Sequence, residues 1–430
     1  MNVAVLGLWH LGSVTAACMA AAGHSVTAFD PNSAIVDALA GGRPPVAEPG
    51  LAELIASGLR SGALQITASL MNAVRNAEIV WVAFDTPVDE EDRADVAYVE
   101  KQIAAVFPFL LDGTVLLSSS QLPVGTVRKL EKVWSGVAKG RTVSFACSPE
   151  NLRLGKSIEV FTQPDRVIVG VRDDWARQRV AALLEPITDR IEWMSVESAE
   201  MTKHAVNAFL ATSVTFVNEL AGLCEQAGAD AKEVERGLRT ERRIGPHAYL
   251  SPGGAFAGGT LARDVAFLRA LGNELGRPTA LMDGVLTSNA QHGLWARRRL
   301  ESDLGSLAGL KIAVWGLTYK PGTDTIRRSA AIELCQWLVS RGAKVHVHDP
   351  AATGLPPDLP VTRHQDPLDA AAGARALVVA TDWPVYRDID VDRLAAVAPG
   401  LLVLDANRFL ETILGSDSRF YLVAVGQPRV

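Results

Sequence analysis

One pattern occurs twice in this chain of 430 residues, and it dictates what the chain can fold into. Near the N-terminus an unbroken apolar run, Val3-Ala4-Val5-Leu6, is cut by Gly7. A helical stretch of small residues follows over 12–22, Gly23 ends it, and a second apolar run at 26–29 closes on Asp30. Near Lys311 the pattern returns. Ile312-Ala313-Val314-Trp315 is cut by Gly316, a helix starts near Ala330, and Val345-His346-Val347-His348 closes on Asp349-Pro350, echoing Phe29-Asp30-Pro31. Runs this short with no polar face read as strands covered on both sides. Strand, glycine turn, helix, strand and acid make the βαβ start of a nucleotide-binding fold. Further strands are expected at 79–83, 115–118, 143–146 and 166–170, and again at 376–380 and 401–404. Between the halves, residues 199–228 keep helical periodicity with no Gly or Pro before Gly222. The expected class is therefore α/β: two Rossmann-like doubly wound parallel-sheet domains joined by a long central helix. The expected boundaries are 1–195, 196–300 and 301–430.

Composition narrows the function classes. Hydrophobic residues at 48% and charged residues at 21% give enough apolar side chains for such cores. A net charge of -6 argues against broad nucleic-acid binding, which needs a basic face. Cys18, Cys147, Cys224 and Cys335 form no C-x-x-C pair and no metal-ligand pattern, so they read as buried reduced thiols and point to the cytoplasm. The N-terminus has no basic leader, and its apolar runs are short, so neither a signal peptide nor a membrane span is expected.

Each motif has a functional and a structural reading. Gly7-Leu8-Trp9-His10-Leu11-Gly12 holds the first and third glycines of G-x-G-x-x-G, with Trp9 in the middle place. Asp30 is placed to accept a ribose 2′-hydroxyl and to repel a 2′-phosphate, which favours NAD over NADP. The alternative is a tight turn with no dinucleotide. Glu150, in Ser148-Pro149-Glu150-Asn151-Leu152, follows a strand and is either a ligand-side carboxylate or a solvated loop acid. Lys203 and Asn207 share a helix face at i, i+4, either to orient an alkoxide or water, or as a packed-face edge with a snorkelling lysine. The segment 251–264, rich in glycine, is expected to be an exposed, backbone-rich surface for a phosphate or sugar. Asp264 is expected in the first turn of the next helix, where it is either catalytic or a dipole-favoured cap. Lys320 is a candidate diphosphate partner. Arg327 and Arg328 are expected to begin a helix, against its dipole, unless a ligand or an acid compensates.

In order along the chain, these segments resemble the UDP-glucose/GDP-mannose dehydrogenase family. The resemblance covers Ser120-Gln121-Leu122-Pro123-Val124-Gly125-Thr126, the Glu150 segment, Glu200-Met201-Thr202-Lys203-His204-Ala205-Val206-Asn207-Ala208-Phe209-Leu210 and Arg243-Ile244-Gly245. It continues through the glycine loop, residues 316–329 and Thr381-Asp382-Trp383-Pro384. It implies two hydride transfers from a sugar C6 alcohol to NAD, with a cysteine thioester on the way to the acid. It also implies an N-terminal NAD domain, a C-terminal nucleotide-sugar domain and a homodimer through the long helix. By position it implies Lys203, Asn207, Asp264, Glu150 and Thr260 as the catalytic set. Gly7, Trp9, Leu11, Gly12, Asp30, Thr86, Gln121 and Arg327 fall on the cofactor, and Arg243, Tyr249, Leu250, Phe256, Gly258 and Lys320 on the substrate. No metal, nucleic-acid or membrane partner is implied.

Departures cluster at the chemistry. Gly258-Gly259-Thr260 puts threonine where the family's Gly-Gly-Ser-Cys has cysteine, and a threonine hydroxyl is a far poorer nucleophile near neutral pH. Gln121 replaces a threonine, Leu154 a second glutamate and Arg263 a lysine. The expectation is an NAD-dependent oxidoreductase on a UDP- or GDP-sugar that does not use a thioester and stops after one oxidation. The alternatives are a redox-neutral NAD-dependent epimerase and a non-catalytic nucleotide-sugar-binding protein.

Overall fold

A computed structural model describes residues 1–89, 94–150, 152–257 and 259–428. The chain forms two compact units, residues 1–206 and 207–430.

The first unit is built on an eight-stranded sheet. Its strands are β1 (Asn2–Leu6), β2 (Ser25–Phe29), β3 (Leu64–Thr67), β4 (Ile79–Val82), β5 (Val115–Ser118), β6 (Ser144–Cys147), β7 (Val167–Gly170) and β8 (Ile191–Met194). Their order is β3-β2-β1-β4-β5-β6-β7-β8, parallel except where β6 meets β7. Both faces are covered, which is why the strands read as unbroken apolar runs. Val5, Val14, Met19 and Ile55 pack on one face, and Leu6, Val80, Ile103 and Phe107 on the other. β3 and β8 escape the sequence pattern because they are only partly buried and mix polar with apolar residues.

The second unit carries a six-stranded parallel sheet of β9 (Lys311–Trp315), β10 (Lys344–His348), β11 (Thr362–Arg363), β12 (Ala376–Val379), β13 (Leu402–Asp405) and β14 (Tyr421–Val423). Its order, β11-β10-β9-β12-β13-β14, is the doubly wound order of dinucleotide-binding folds. Helices Thr260–Glu274 and Ala280–Gly293 belong to the same unit and pack Val265 and Val285 against Ala208 and Ala211.

The long helix runs Val196–Ala227, starting three residues before its expected first residue. By length and composition it is apolar enough to cross a membrane, contrary to the sequence expectation. Its inner face, however, buries Glu200, His204, Asn207, Asn218 and Glu225 within protein. Those polar groups need protein partners, which a lipid environment does not supply. All four cysteines are free and buried, as expected.

Two local expectations are corrected. Asp264 is the fifth residue of its helix, outside the first turn and fully buried, so it is not a cap. Arg327 and Arg328 precede the helix Ala330–Ser340, which Ser329 caps through Ala331 N, so no cation opposes that dipole from inside the helix.

Candidate active site

In the first unit the glycine turn has the shape a diphosphate needs. Gly7 sits at φ +90, and a Cβ there would stand 2.6 Å from Phe84. A Cβ on Gly12 would come 1.6 Å from the Gly7 carbonyl oxygen, so both glycines are required by the turn itself. Trp9 has φ -71, which any residue adopts, and its side chain faces solvent at 47% exposure. The helix His10–Ala21 begins there with no acid in its first turn and no side-chain cap, while Leu11 and Gly12 are buried. Those first-turn N–H groups suit an anion. Asp30, at the end of β2, accepts from Leu8 N at 2.7 Å and Asn32 N at 2.8 Å, which leaves lone pairs for a ribose hydroxyl. These residues fit NAD. Thr86 lies in the loop after β4, the strand paired with β1, and its Oγ1 donates to the Gln121 carbonyl at 2.6 Å.

A cleft opens past the C-terminal ends of β5 and β6, lined by residues 118–122, Cys147, Pro149, Glu150, Glu200 and Lys203. Ligands of such sheets bind at this end. Lys203 Nζ donates to the Glu150 carbonyl oxygen at 2.5 Å and stands 3.7 Å from its Oε1, so these two predicted residues meet. Glu150 Oε2 accepts from Leu152 N at 2.6 Å. Glu200 caps the helix Thr126–Val137, accepting from Gly125 N at 2.6 Å and Val127 N at 3.0 Å. Burial pushes its carboxyl up in spite of those bonds. Cys147 lines the same cleft, but burial, and then Glu200, push its thiol far above the ordinary range. A larger polar groove beside Asn2, Gln65 and Arg75 lies away from these strand ends and gathers none of the predicted residues.

Sequence reasoning missed Glu48. Its carboxylate accepts from Gly155 N at 2.9 Å and Ser157 N at 2.8 Å, and meets His10 Nε2 at 3.0 Å. Burial pushes this carboxyl up, but those bonds outweigh burial and hold it below the ordinary glutamate value.

In the second unit, Asn207 Nδ2 donates to Asp264 Oδ2, so two residues singled out separately in the sequence meet here, and both are buried. Thr260 opens the helix that carries Asp264 and is exposed. The glycine loop departs from expectation, because much of its backbone is already bonded. Gly253 N donates to Asn218 Oδ1 at 3.0 Å, Gly254 N to Asn407 Oδ1 at 2.9 Å, and Phe256 N to Asn289 Oδ1 at 3.0 Å. Asn289 Nδ2 returns a bond to the Phe256 carbonyl at 2.8 Å, and His292 Nε2 meets the Gly253 carbonyl at 2.7 Å. Three asparagines from distant parts of the sequence thus fix the loop, and no local pattern announces them. Tyr249 is exposed, Leu250 is buried and Phe256 is half-buried, so of these three Leu250 turns inward. Gly258 lies outside the described residues. Arg243 is exposed and pairs with Glu241 at 2.9 Å.

The second glycine turn repeats the first. A Cβ on Gly316 would stand 2.4 Å from Thr381 Cβ. Asp349 takes the place of Asp30 but is enclosed, accepting from the backbone of Leu317, Thr318, Ala351 and Ala352. It locks the turn and leaves little capacity for a ligand. Lys320, half-buried, and Arg327, exposed, follow in the same loop. Arg328 Nη1 and the Tyr319 hydroxyl each lie 3.6 Å from where a Gly259 Cβ would stand, so they flank the glycine loop, a placement that no sequence pattern gives.

Comparison with known proteins adds to this geometry. The pattern of the UDP-glucose/GDP-mannose dehydrogenase family matches as its NAD binding domain over residues 1–188, its central domain over 197–291 and its UDP binding domain over 313–412. A UDP-glucose 6-dehydrogenase of Pseudomonas aeruginosa is 32% identical over 449 residues, covering all of this chain and 98% of its own length. One from Rhizobium meliloti is 33% identical and is covered, like this chain, in full. The structure of a UDP-glucose dehydrogenase from Pyrobaculum islandicum superposes with a TM-score of 0.84 at 33% identity, covering 94% of this chain and 93% of that one. The chain belongs to the UDP-glucose/GDP-mannose dehydrogenase family and is an NAD-dependent nucleotide-sugar dehydrogenase.

Proposed function

We propose that this dehydrogenase oxidises an alcohol of a nucleotide-activated sugar once, releasing a carbonyl product instead of carrying it to the acid through a thioester. The observation that carries this reading is Thr260. Its exposed hydroxyl makes no hydrogen bond to a base among the described residues, and an unassisted threonine hydroxyl is essentially un-ionised near neutral pH. All four cysteines are buried, and none belongs to the proposed catalytic set. Burial pushes Cys18 and Cys335 up to about 12, and Cys147 further still. NAD, when bound, would supply the hydride acceptor, so loss of a hydride and a proton from the alcohol would yield one carbonyl and one NADH per sugar. In this reading Lys203 and Asp264 handle the alcohol's proton, Asn207 steadies the oxygen, and Glu150 positions Lys203. Phe256, Tyr249, Leu250, Gly258, Arg243 and Lys320 are proposed for the sugar nucleotide. Gly7, Trp9, Leu11, Gly12, Asp30, Thr86, Gln121 and Arg327 are proposed for the cofactor.

The assembly proposed is a homodimer through the long helix. Phe209, Phe216 and Leu223 are exposed there at seven-residue spacing, a stripe that suits a second helix. The cytoplasm is the proposed compartment, and four unpaired cysteines support it.

Product analysis tests the reaction. A panel of UDP- and GDP-sugars is incubated with NAD and a carbonyl trap, and products are weighed by mass spectrometry while NADH is counted. The expected result is one NADH per sugar and a trapped carbonyl. A uronate with two NADH per sugar overturns the single oxidation.

A further inference from the structure

Glu48 has no part in the roles assigned above, yet it is among the most constrained carboxylates in the first unit. It precedes the helix Leu51–Ser61, and its side chain is 1% exposed. Oε1 accepts from Ser157 N, while Oε2 meets His10 Nε2 at 3.0 Å, Gly155 N at 2.9 Å and Ser157 Oγ at 3.0 Å. A buried carboxylate with this many donors is a fixed point in the fold.

Its donors come from two functional places. His10 is the first helical residue after the cofactor turn, directly beside the outward-facing Trp9. Gly155 and Ser157 close the segment that follows Glu150, the residue bonded to Lys203. Within that segment Leu152 N donates to Glu150 Oε2, and Ser157 Oγ also reaches the Arg153 carbonyl at 2.9 Å. Hydrogen bonds therefore join His10, Glu48, Ser157 and the Arg153 carbonyl, and the backbone continues from Arg153 to Leu152, whose N–H donates to Glu150.

We propose that Glu48 is a positioning residue that couples the cofactor turn to the Glu150 segment, so that filling the cofactor site stiffens that segment. A diphosphate seated on the turn restrains residues 8–12. His10 passes that restraint to Glu48, and Glu48 passes it to Gly155 and Ser157. Coupling between two sites typically amounts to about fivefold or more. A purely architectural Glu48 would tie two helices together whether or not cofactor is bound, so the response to NAD separates the two roles.

The test is limited trypsin digestion of the full-length protein with and without saturating NAD, with cleavage at Arg153 and Lys156 followed by mass spectrometry. Both residues are exposed and lie inside the segment. The expected result is that NAD slows cleavage there about fivefold or more in the native protein. His10→Phe is expected to cleave at the native rate without NAD and to lose most of the protection with it, at NAD concentrations that calorimetry shows to be saturating. Glu48→Gln is expected to cleave faster with or without NAD. Ser157→Ala, which removes a single hydroxyl, is expected to do the same more mildly should Glu48→Gln fail to fold. Equal protection of His10→Phe and the native protein by NAD would overturn the coupling, because the cofactor would then shield the segment directly. Absence of any NAD protection in the native protein would overturn it too.

Discussion

At the scale of single residues, position 260 decides which chemistry is open. A thiol there would be partly ionised near neutral pH, whereas a threonine hydroxyl at the start of a helix is not. If Thr260 has no covalent role, Thr260→Ala changes kcat by no more than about threefold. Asp264→Asn, which leaves Asn207 facing an amide, lowers kcat by about a hundredfold or more, the range typical of a lost acid–base group. Steady-state kinetics on the two variants compares them directly, and the opposite ranking would place a reacting group at 260. The residues of both pairs are legible one by one in the sequence, but not as pairs. Spacing puts Lys203 and Asn207 on one helix face, and motif and resemblance single out Glu150 and Asp264; that Lys203 meets Glu150 and Asn207 meets Asp264 is seen only in the structure. Glu48, Asn218, Asn289 and Asn407 were not legible, because each acts on backbone far away in sequence. A hydrogen bond across 153 positions, such as Asn407 to Gly254, leaves no local periodicity to detect.

At the scale of elements, the long helix is anchored at its start by an ion network. Glu197 accepts from Arg172 at 2.7 Å and Arg128 at 2.8 Å, and Arg172 also holds Glu131 at 2.7 Å. The Arg172 bonds, working against burial, hold the Glu197 carboxyl down at about 2. Unfolded, a glutamate titrates near about 4.3. A carboxyl depressed by folding contributes stability that is fully present above the unfolded value and is lost as pH falls toward the folded one. Glu197→Gln is therefore expected to lower stability at pH 7 by about 1 kcal/mol after solvent screening of this partly exposed group. The difference should close as pH falls from about 4.3 toward 2. Urea denaturation across a pH series reads this out, and a gap independent of pH would mean the loss is one of packing. The buried central strands were legible as elements because a strand covered on both faces has nothing but apolar side chains. β3, β8 and β14 were not, because most of their side chains are at most partly covered, nor was the two-residue β11, whose side chains are both exposed.

At the scale of the whole molecule, the two sheets explain how one chain holds two nucleotide-type ligands, and the exposed stripe of the long helix bears on how many chains work together. Phe209 is 70% exposed, Phe216 49% and Leu223 66%, although each is a side chain that cores usually claim. On a straight helix, positions seven apart drift by only about 20° per step, so the three lie along one line. Burying a large apolar side chain contributes about 1.5–3 kcal/mol, and a twofold contact would bury the line once from each copy. A charge at the centre of such a line would face its own copy across the axis, unpaired and desolvated. Phe216→Glu is therefore expected to halve the mass in solution to that of one chain, 45.8 kDa, while leaving NAD affinity within about threefold of native. Analytical ultracentrifugation with parallel calorimetry checks both halves of that statement. A native protein that sediments as a monomer would instead assign the stripe to a partner other than a second copy.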